Sequence, residues 1–168
     1  MNAIVIVGAP GAGKSTVGSL LAKRLHTTFL DTDKEIERQA GTSISEIFVN
    51  SGEAAFRSLE RDIVCNALRE STGVISLGGG SILDPRTRED LGEHTVIWLK
   101  VSAATAAQRV GMNTARPLLV GNVRGTLAKL LKERNAYYQG VADVEIDTDG
   151  RSTGEIVSAI IATREASA

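Results

Sequence analysis

The octapeptide GAPGAGKS at 8–15 leaves this chain little freedom in its local fold. It fits the pattern G-x-x-x-x-G-K-[ST] at every position. It follows the apolar run AIVIV at 3–7 and opens a stretch, Lys14 to Leu25, with Val17, Leu20, Leu21 and Leu25 at helical spacing. A strand that turns through glycines into a helix aims successive backbone N–H groups and the positive end of the helix dipole at one anion. Gly8, Gly11 and Gly13 permit the turn, and the amides of Gly11, Ala12 and Gly13 form the nest. Lys14 then supplies a point charge to the β- and γ-phosphates of a nucleoside triphosphate, Ser15 offers its hydroxyl to Mg²⁺, and Thr16 supports the α-phosphate.

Four further apolar runs follow: TTFLD at 27–31, GVISL at 73–77, TVIWLKV at 95–101 and VEID at 144–147. Their hydrophobicity is continuous rather than alternating, and helical patterns separate them. That predicts an α/β fold of three layers, a P-loop NTPase fold with a five-stranded parallel sheet flanked by helices. Ser43 with Glu46 forms a capping box, and Glu53 to Leu68 reads as a helix with Phe56, Leu59, Ile63 and Ala67 along one face. At 168 residues, 42% hydrophobic, the chain fits one domain spanning 1–168. Within it, a helical segment at about 32–72 and a mobile lid at about 111–124, around GMNTARPLLVGN, are expected to serve the substrate. A net charge of −1 gives no basic footprint for nucleic acid or a membrane surface, so any anion must be held locally. Cys65 is the sole cysteine, and AIVIV is too short and lacks the basic leader of a signal peptide. A cytoplasmic protein is expected.

No guanine-reading N-K-x-D tetrapeptide occurs, and GVISL ends in glycines instead of a metal-binding aspartate. The metal carboxylate must come from elsewhere, and Asp31 and Asp33 in LDTD are the candidates. Strand alternation sends both to one side if the extended conformation continues through Thr32. Asp31 then fits Mg²⁺, directly or through water, and Asp33 fits a substrate hydroxyl whose proton it accepts; alternatively Asp33 caps a helix starting at Lys34. Arg57 and Glu60 read alone as an i,i+3 pair on a solvated face. Arg116 in TARPLL and Arg134 in LKERNAYY read alone as surface charges.

Together, GAPGAGKST, LDTD, FRSLE, SLGGG, ARPLL and ERNAYY, in this order and spacing, resemble the shikimate kinase family from residue 4 to about 160. The resemblance implies a nucleoside-monophosphate-kinase-like fold. It implies transfer of the ATP γ-phosphate to the 3-hydroxyl of shikimate, with Mg²⁺, by a monomer on the route to chorismate. It assigns Asp33 to the ring hydroxyls and the pair Arg57 and Arg134 to the carboxylate, which a planar guanidinium matches bidentately. Gly78, Gly79 and Gly80 become a bare-backbone shelf under the ring, Arg116 a lid arginine reaching the phosphates, and Arg109 and Arg151 flank adenine. Ser81 stands where alanine is common and Ala136 where proline is frequent. Phe48 and Phe56 read as core first. Trp98, His26, His94, Tyr137, Tyr138 and Cys65 are left as structural, with Cys65 expected to be buried. Two rivals remain: gluconate kinase, which shares the architecture but lacks a use for the arginine pair, and a nucleotide-dependent regulator.

Overall fold

The computed structural model describes residues 2–111 and 122–168. Five strands are hydrogen-bonded in parallel: β1 (Ile4–Val7), β2 (Phe29–Asp31), β3 (Val74–Ser76), β4 (Thr95–Lys100) and β5 (Val144–Asp147), in the order β2-β3-β1-β4-β5. The helices are α1 (Lys14–Arg24), α2 (Thr32–Ala40), α3 (Ile44–Glu70), α4 (Pro85–Asp90), α5 (Ala103–Val110), α6 (Val123–Val141) and α7 (Thr153–Ser167). This is the expected α/β architecture; β1 to β4 are one or two residues shorter than their apolar runs, and β5 matches its run.

Why the runs are continuously apolar is visible in the side-chain alternation. Val5 and Val7, Ile75, Val96 and Trp98 point to one face, where they pack with Val64 and Leu68 of α3 and Tyr138 of α6. Ile4 and Ile6, Val74, Ile97 and Leu99 point to the other, against Val17 and Leu21 of α1 and Val157 and Ile160 of α7. Both faces of the sheet are therefore covered. Trp98, 6% exposed, is a core residue as anticipated. A smaller cluster of Ile36, Ile47, Phe56 and Ile63 joins α2 to α3. Among the described residues no helix is long and apolar enough to cross a membrane.

The extended conformation does not continue through Thr32. Thr32 is already the first residue of α2, and Asp31 is its N-cap, accepting from the N–H groups of Asp33 (2.9 Å) and Lys34 (3.3 Å). The alternation argument for Asp31 and Asp33 therefore fails, and Asp33 is not the cap. Four orphan N–H groups at a helix start compete for a nearby carboxylate, and Asp31 at the strand end meets them first. Of the capping box only half forms: Ser43 accepts from Glu46 N–H at 3.2 Å, while the Glu46 carboxylate accepts from Thr42 Oγ1. The run 112–121, and Arg116 with it, lies outside the described residues.

Gly52 interrupts α3 with φ 82° and ψ 171°, a region open essentially to glycine alone. Gly41 closes α2 at φ 69° and ψ 17°, the left-handed cap. A Cβ at either position would meet nothing within 4 Å, so substitution there tests backbone conformation only. Gly52→Ala is expected to lower the unfolding free energy by about 1–3 kcal/mol. Gly41→Asn should lose less, because asparagine tolerates the left-handed region. Urea unfolding midpoints of the two variants check the ranking.

Candidate active site

All five strands run the same way, so the loops after β1, β2 and β3 open at one edge of the sheet. The loop leaving β1 holds Gly11 at φ 84° and Gly13 at φ 85°, left-handed values that turn its amides inward. Gly13 is the N-cap of α1 and carries no side chain to satisfy the first-turn N–H groups, which leaves that end open to an anion. Lys14 is buried, and its Nζ donates to Ala9 O at 3.0 Å, folding the ammonium over its own loop. Ser15 Oγ donates to Asp31 Oδ2, while the other carboxylate oxygen caps α2. From α5, Arg109 reaches back so that Nη1 donates to Gly11 O at 3.0 Å and to Thr148 Oγ1 at 3.4 Å. Together with Ser15, Thr16, Asp31 and Asp33 these groups line a cleft of about 390 Å³.

Beside it lies the second glycine segment. Leu77 N–H donates to Ile6 O at 3.1 Å, which carries the β1–β3 pairing past the strand end and delivers residues 78–80 next to the phosphate loop. Ser81 N–H donates to Gly78 O at 3.0 Å and closes a tight turn. Gly80 sits at φ −95° and ψ −1°, which any residue can adopt, and neither Gly78 nor Gly79 is left-handed. What a side chain would meet here is crowding rather than backbone strain. A Cβ on Gly78 would lie 2.6 Å from Asp33 Oδ1 and 3.0 Å from Glu60 Oε2. One on Gly79 would lie 3.0 Å from Pro10 Cδ, and one on Gly80 2.7 Å from Arg57 Cζ. Thr32, fully buried, stitches the turn to the loop after β2: its Oγ1 accepts from Gly78 N–H and donates to Ser76 O, both at 3.2 Å.

The charges around this turn are mostly buried. Arg57 Nη1 donates to Glu60 Oε1 at 2.8 Å, its Nη2 lies 3.6 Å from Glu53, and its guanidinium stands 5.2 Å over the Phe56 ring. Glu60 is only 4% exposed, so the i,i+3 pair is not on a solvated face as its spacing alone suggested. Burial pushes the Glu60 carboxyl above its usual range against the pull of Arg57, and the charge of Asp33 adds to the rise. Ser81 Oγ, also buried, faces that carboxyl without closing a hydrogen bond of normal geometry. Arg134, 6% exposed on α6, forms no ion pair with a carboxylate among the described residues. Tyr138, one helical turn further on, donates its hydroxyl to Gly79 O at 2.5 Å. Burial pushes that phenol up to about 12, while Arg134 and Arg57 pull it down, which sets both guanidiniums in the same neighbourhood. A guanidinium withdrawn from water and lacking an acid is the arrangement a ligand carboxylate would satisfy.

The expected residues thus fall into two adjoining groups. Lys14, Ser15, Thr16, Asp31, Asp33 and Arg109 share the cleft, and Arg57, Arg134 and Gly78 to Gly80 gather beside it with Asp33 between. Arg151 is exposed on the loop after β5, its N–H on Thr148 O at 3.2 Å, and it joins the cleft only through that loop. Sequence reasoning missed Thr32, Glu60 and Tyr138 as parts of the site. The i+4 spacing of Tyr138 from Arg134 was a usable signal, while nothing local marks Thr32. Cys65 is half-buried rather than buried, and His94 uses Nδ1 to accept from Ala3 N–H at 3.1 Å, a structural role. Among the described residues no group of three His, Cys, Asp or Glu could hold a metal, and Ser15 and Asp31, the pair expected at Mg²⁺, touch one another.

The model of the shikimate kinase family matches residues 10–165 of this chain. Shikimate kinase of Thermobifida fusca is 52% identical over 156 residues, 93% of this chain and 91% of that protein. The structure of shikimate kinase from Acinetobacter baumannii in complex with shikimate superposes with a TM-score of 0.96 at 35% identity, covering 99% of this chain and 94% of the other. A gluconokinase from Sinorhizobium meliloti, at 20% identity and a TM-score of 0.60 over 99% of this chain and 94% of the other, shares the fold alone. With nearly its whole length matched and half its residues shared with a relative of that name, the chain belongs to the shikimate kinase family.

Proposed function

We propose that this chain transfers the γ-phosphoryl group of ATP to the 3-hydroxyl of shikimate, giving shikimate 3-phosphate and ADP on the route to chorismate and the aromatic amino acids. One observation carries the choice of an acid substrate: Arg134 is buried without a carboxylate partner among the described residues, on the helix whose Tyr138 reaches Gly79 O, and Arg57 stands against Gly80 of the same turn. A polyol pocket or a signalling switch has no use for two convergent guanidiniums.

The loop amides of Gly11, Ala12 and Gly13, with Lys14 and Thr16, bind the polyphosphate, and Arg109 and Arg151 flank the adenine. Mg²⁺, held by Ser15 and Asp31, would neutralise charge on the phosphate oxygens. Arg57 and Arg134 clamp the substrate carboxylate over Gly78, Gly79 and Gly80. Asp33, pressed against Gly78, accepts the proton of the attacking hydroxyl at its carboxylate. A loose phosphoryl transition state asks chiefly for alignment, which the shared edge of β1 and β3 supplies. Glu60 keeps Arg57 oriented before the acid arrives. The segment at about 32–72, with its own apolar cluster, bears the acid site, and the stretch at about 111–124 closes over the phosphates with Arg116. Closure excludes the water that would otherwise consume ATP. The enzyme works as a cytoplasmic monomer on a small molecule, with no nucleic-acid or membrane partner, in keeping with its net charge of −1.

An ADP-release assay over shikimate, quinate and gluconate tests the substrate directly. Shikimate should be turned over with by far the largest kcat/KM, and equal or greater use of gluconate would overturn the reading. Arg57→Ala and Arg134→Ala should each weaken acid binding by about 2–5 kcal/mol, the cost of truncating one side of a buried charge pair. That loss should fall on the KM for shikimate. Arg116→Ala should instead lower kcat, by about a thousandfold if it meets transition-state charge. Unchanged turnover in steady state would remove it from the mechanism.

A further inference from the structure

The turn at 78–81 has an unusual distribution of hydrogen bonds. Gly78 N–H is taken by Thr32 Oγ1, Gly78 O by Ser81 N–H and Gly80 O by Leu83 N–H. Gly79 and Gly80 are the central residues of the turn, whose N–H groups the closing bond does not use. Among the described residues neither N–H has an acceptor. The one carbonyl between them, Gly79 O, is held by the hydroxyl of Tyr138, a side chain with no exposed surface on a helix 59 residues away in the chain.

In a trans peptide the C=O and the following N–H point in opposite directions and turn together. A bond that fixes Gly79 O toward Tyr138 therefore fixes Gly80 N–H away from it, in a turn whose Gly80 stands close against the Arg57 guanidinium. Between two glycines a peptide plane rotates at little steric cost, so this orientation needs an external hold. Pro10 presses on Gly79 but offers no hydrogen bond to set the direction of the plane.

We propose that Tyr138 is a positioning residue of the acid pocket: its hydroxyl locks the Gly79–Gly80 peptide so that the free N–H groups of the turn join Arg57 and Arg134 in holding the substrate carboxylate. The assignment rests on the acid-pocket reading given above. Burial suits the phenol to the task, since it keeps the hydroxyl protonated, and so a donor, throughout the working pH range. The ring packs against Trp98 at 5.9 Å between centroids and would do so equally as phenylalanine.

Tyr138→Phe is the test, assayed beside Arg134→Ala with shikimate and with the alcohol in which a hydroxymethyl group replaces the carboxylate. The expected result is a KM for shikimate raised about five- to tenfold, the scale of one hydrogen bond, with KM for ATP within about twofold of the parent. For the alcohol the penalty should shrink to about twofold or less, because no carboxylate is there to feel the turned amides. An equal penalty on both substrates would reduce Tyr138 to a packing residue and overturn the proposal. If Arg134→Ala raises KM and Tyr138→Phe does not, only the role of Tyr138 falls. If neither raises it, the acid-pocket reading falls as well. Should the phenylalanine variant not fold, amide NMR of the parent protein decides: shikimate should move the Gly79 or Gly80 amide proton downfield, and no shift at either would refute the assignment.

Discussion

Parallel pairing of β1 with β3 is the constraint on which the site depends. The register Ile6 with Ser76, extended by the bond from Leu77 N–H to Ile6 O, ends both strands at the same level. The chain crosses from β1 to β2 and returns to place β3 between them, and β4 then pairs on the other side of β1. Loops at such a reversal of winding splay apart and leave a crevice at the strand ends. Here the crevice is walled by two glycine segments in contact, Pro10 against Gly79. On the function proposed above, a phosphate held by one and an acid held by the other would lie on either side of a single layer of backbone. Alignment for an in-line transfer would then follow from strand order before any side chain is considered.

On that frame the charge is arranged unevenly. Arg57 has Glu60, and more distantly Glu53, whereas Arg134 has no carboxylate among the described residues. Asp33 and Glu60 converge on Gly78 and oppose one another, which is part of why the Glu60 carboxyl is pushed up. On the proposed reading Arg134 would accept an anion without giving up a carboxylate, and the guanidinium of Arg57, already placed by Glu60, would lose little further freedom. None of this is visible in the net charge of −1, because the field that matters is set within one helical turn and a few ångströms.

How much the sequence disclosed follows from the range of each interaction. The phosphate loop was legible because its mechanism is written in eight consecutive residues, and the sheet because strands covered on both faces must be apolar throughout. The LDTD segment misled because Asp31, not Asp33, supplies the cap: the N–H groups opening α2 at Thr32 outweighed continued extension, and Thr32 turned inward to bond Ser76 and Gly78. Arg57 with Glu60 has the spacing of an ordinary surface pair, and spacing carries no information about burial. Only resemblance to a family pointed to Arg57 and Arg134 as partners. Tyr138 acts on a carbonyl far away in the chain, which no periodicity could announce.

The triple glycine shows why flexible sequence and rigid site are compatible. Three adjacent glycines lose more backbone entropy on folding than any other tripeptide, and none of the three is required here by a left-handed φ. An aspartate and a glutamate, a proline and an arginine each approach the backbone so closely that a Cβ would have to displace them. Those same approaches, with the bonds from Thr32 and Tyr138, remove the freedom that the missing side chains would otherwise leave. The turn is held by α2, α3, α6 and the phosphate loop at once, so its geometry can change only if several packed elements move together. On the function proposed above, a small rigid acid would meet a backbone already held in place, so little ordering would be left for its binding to bring about.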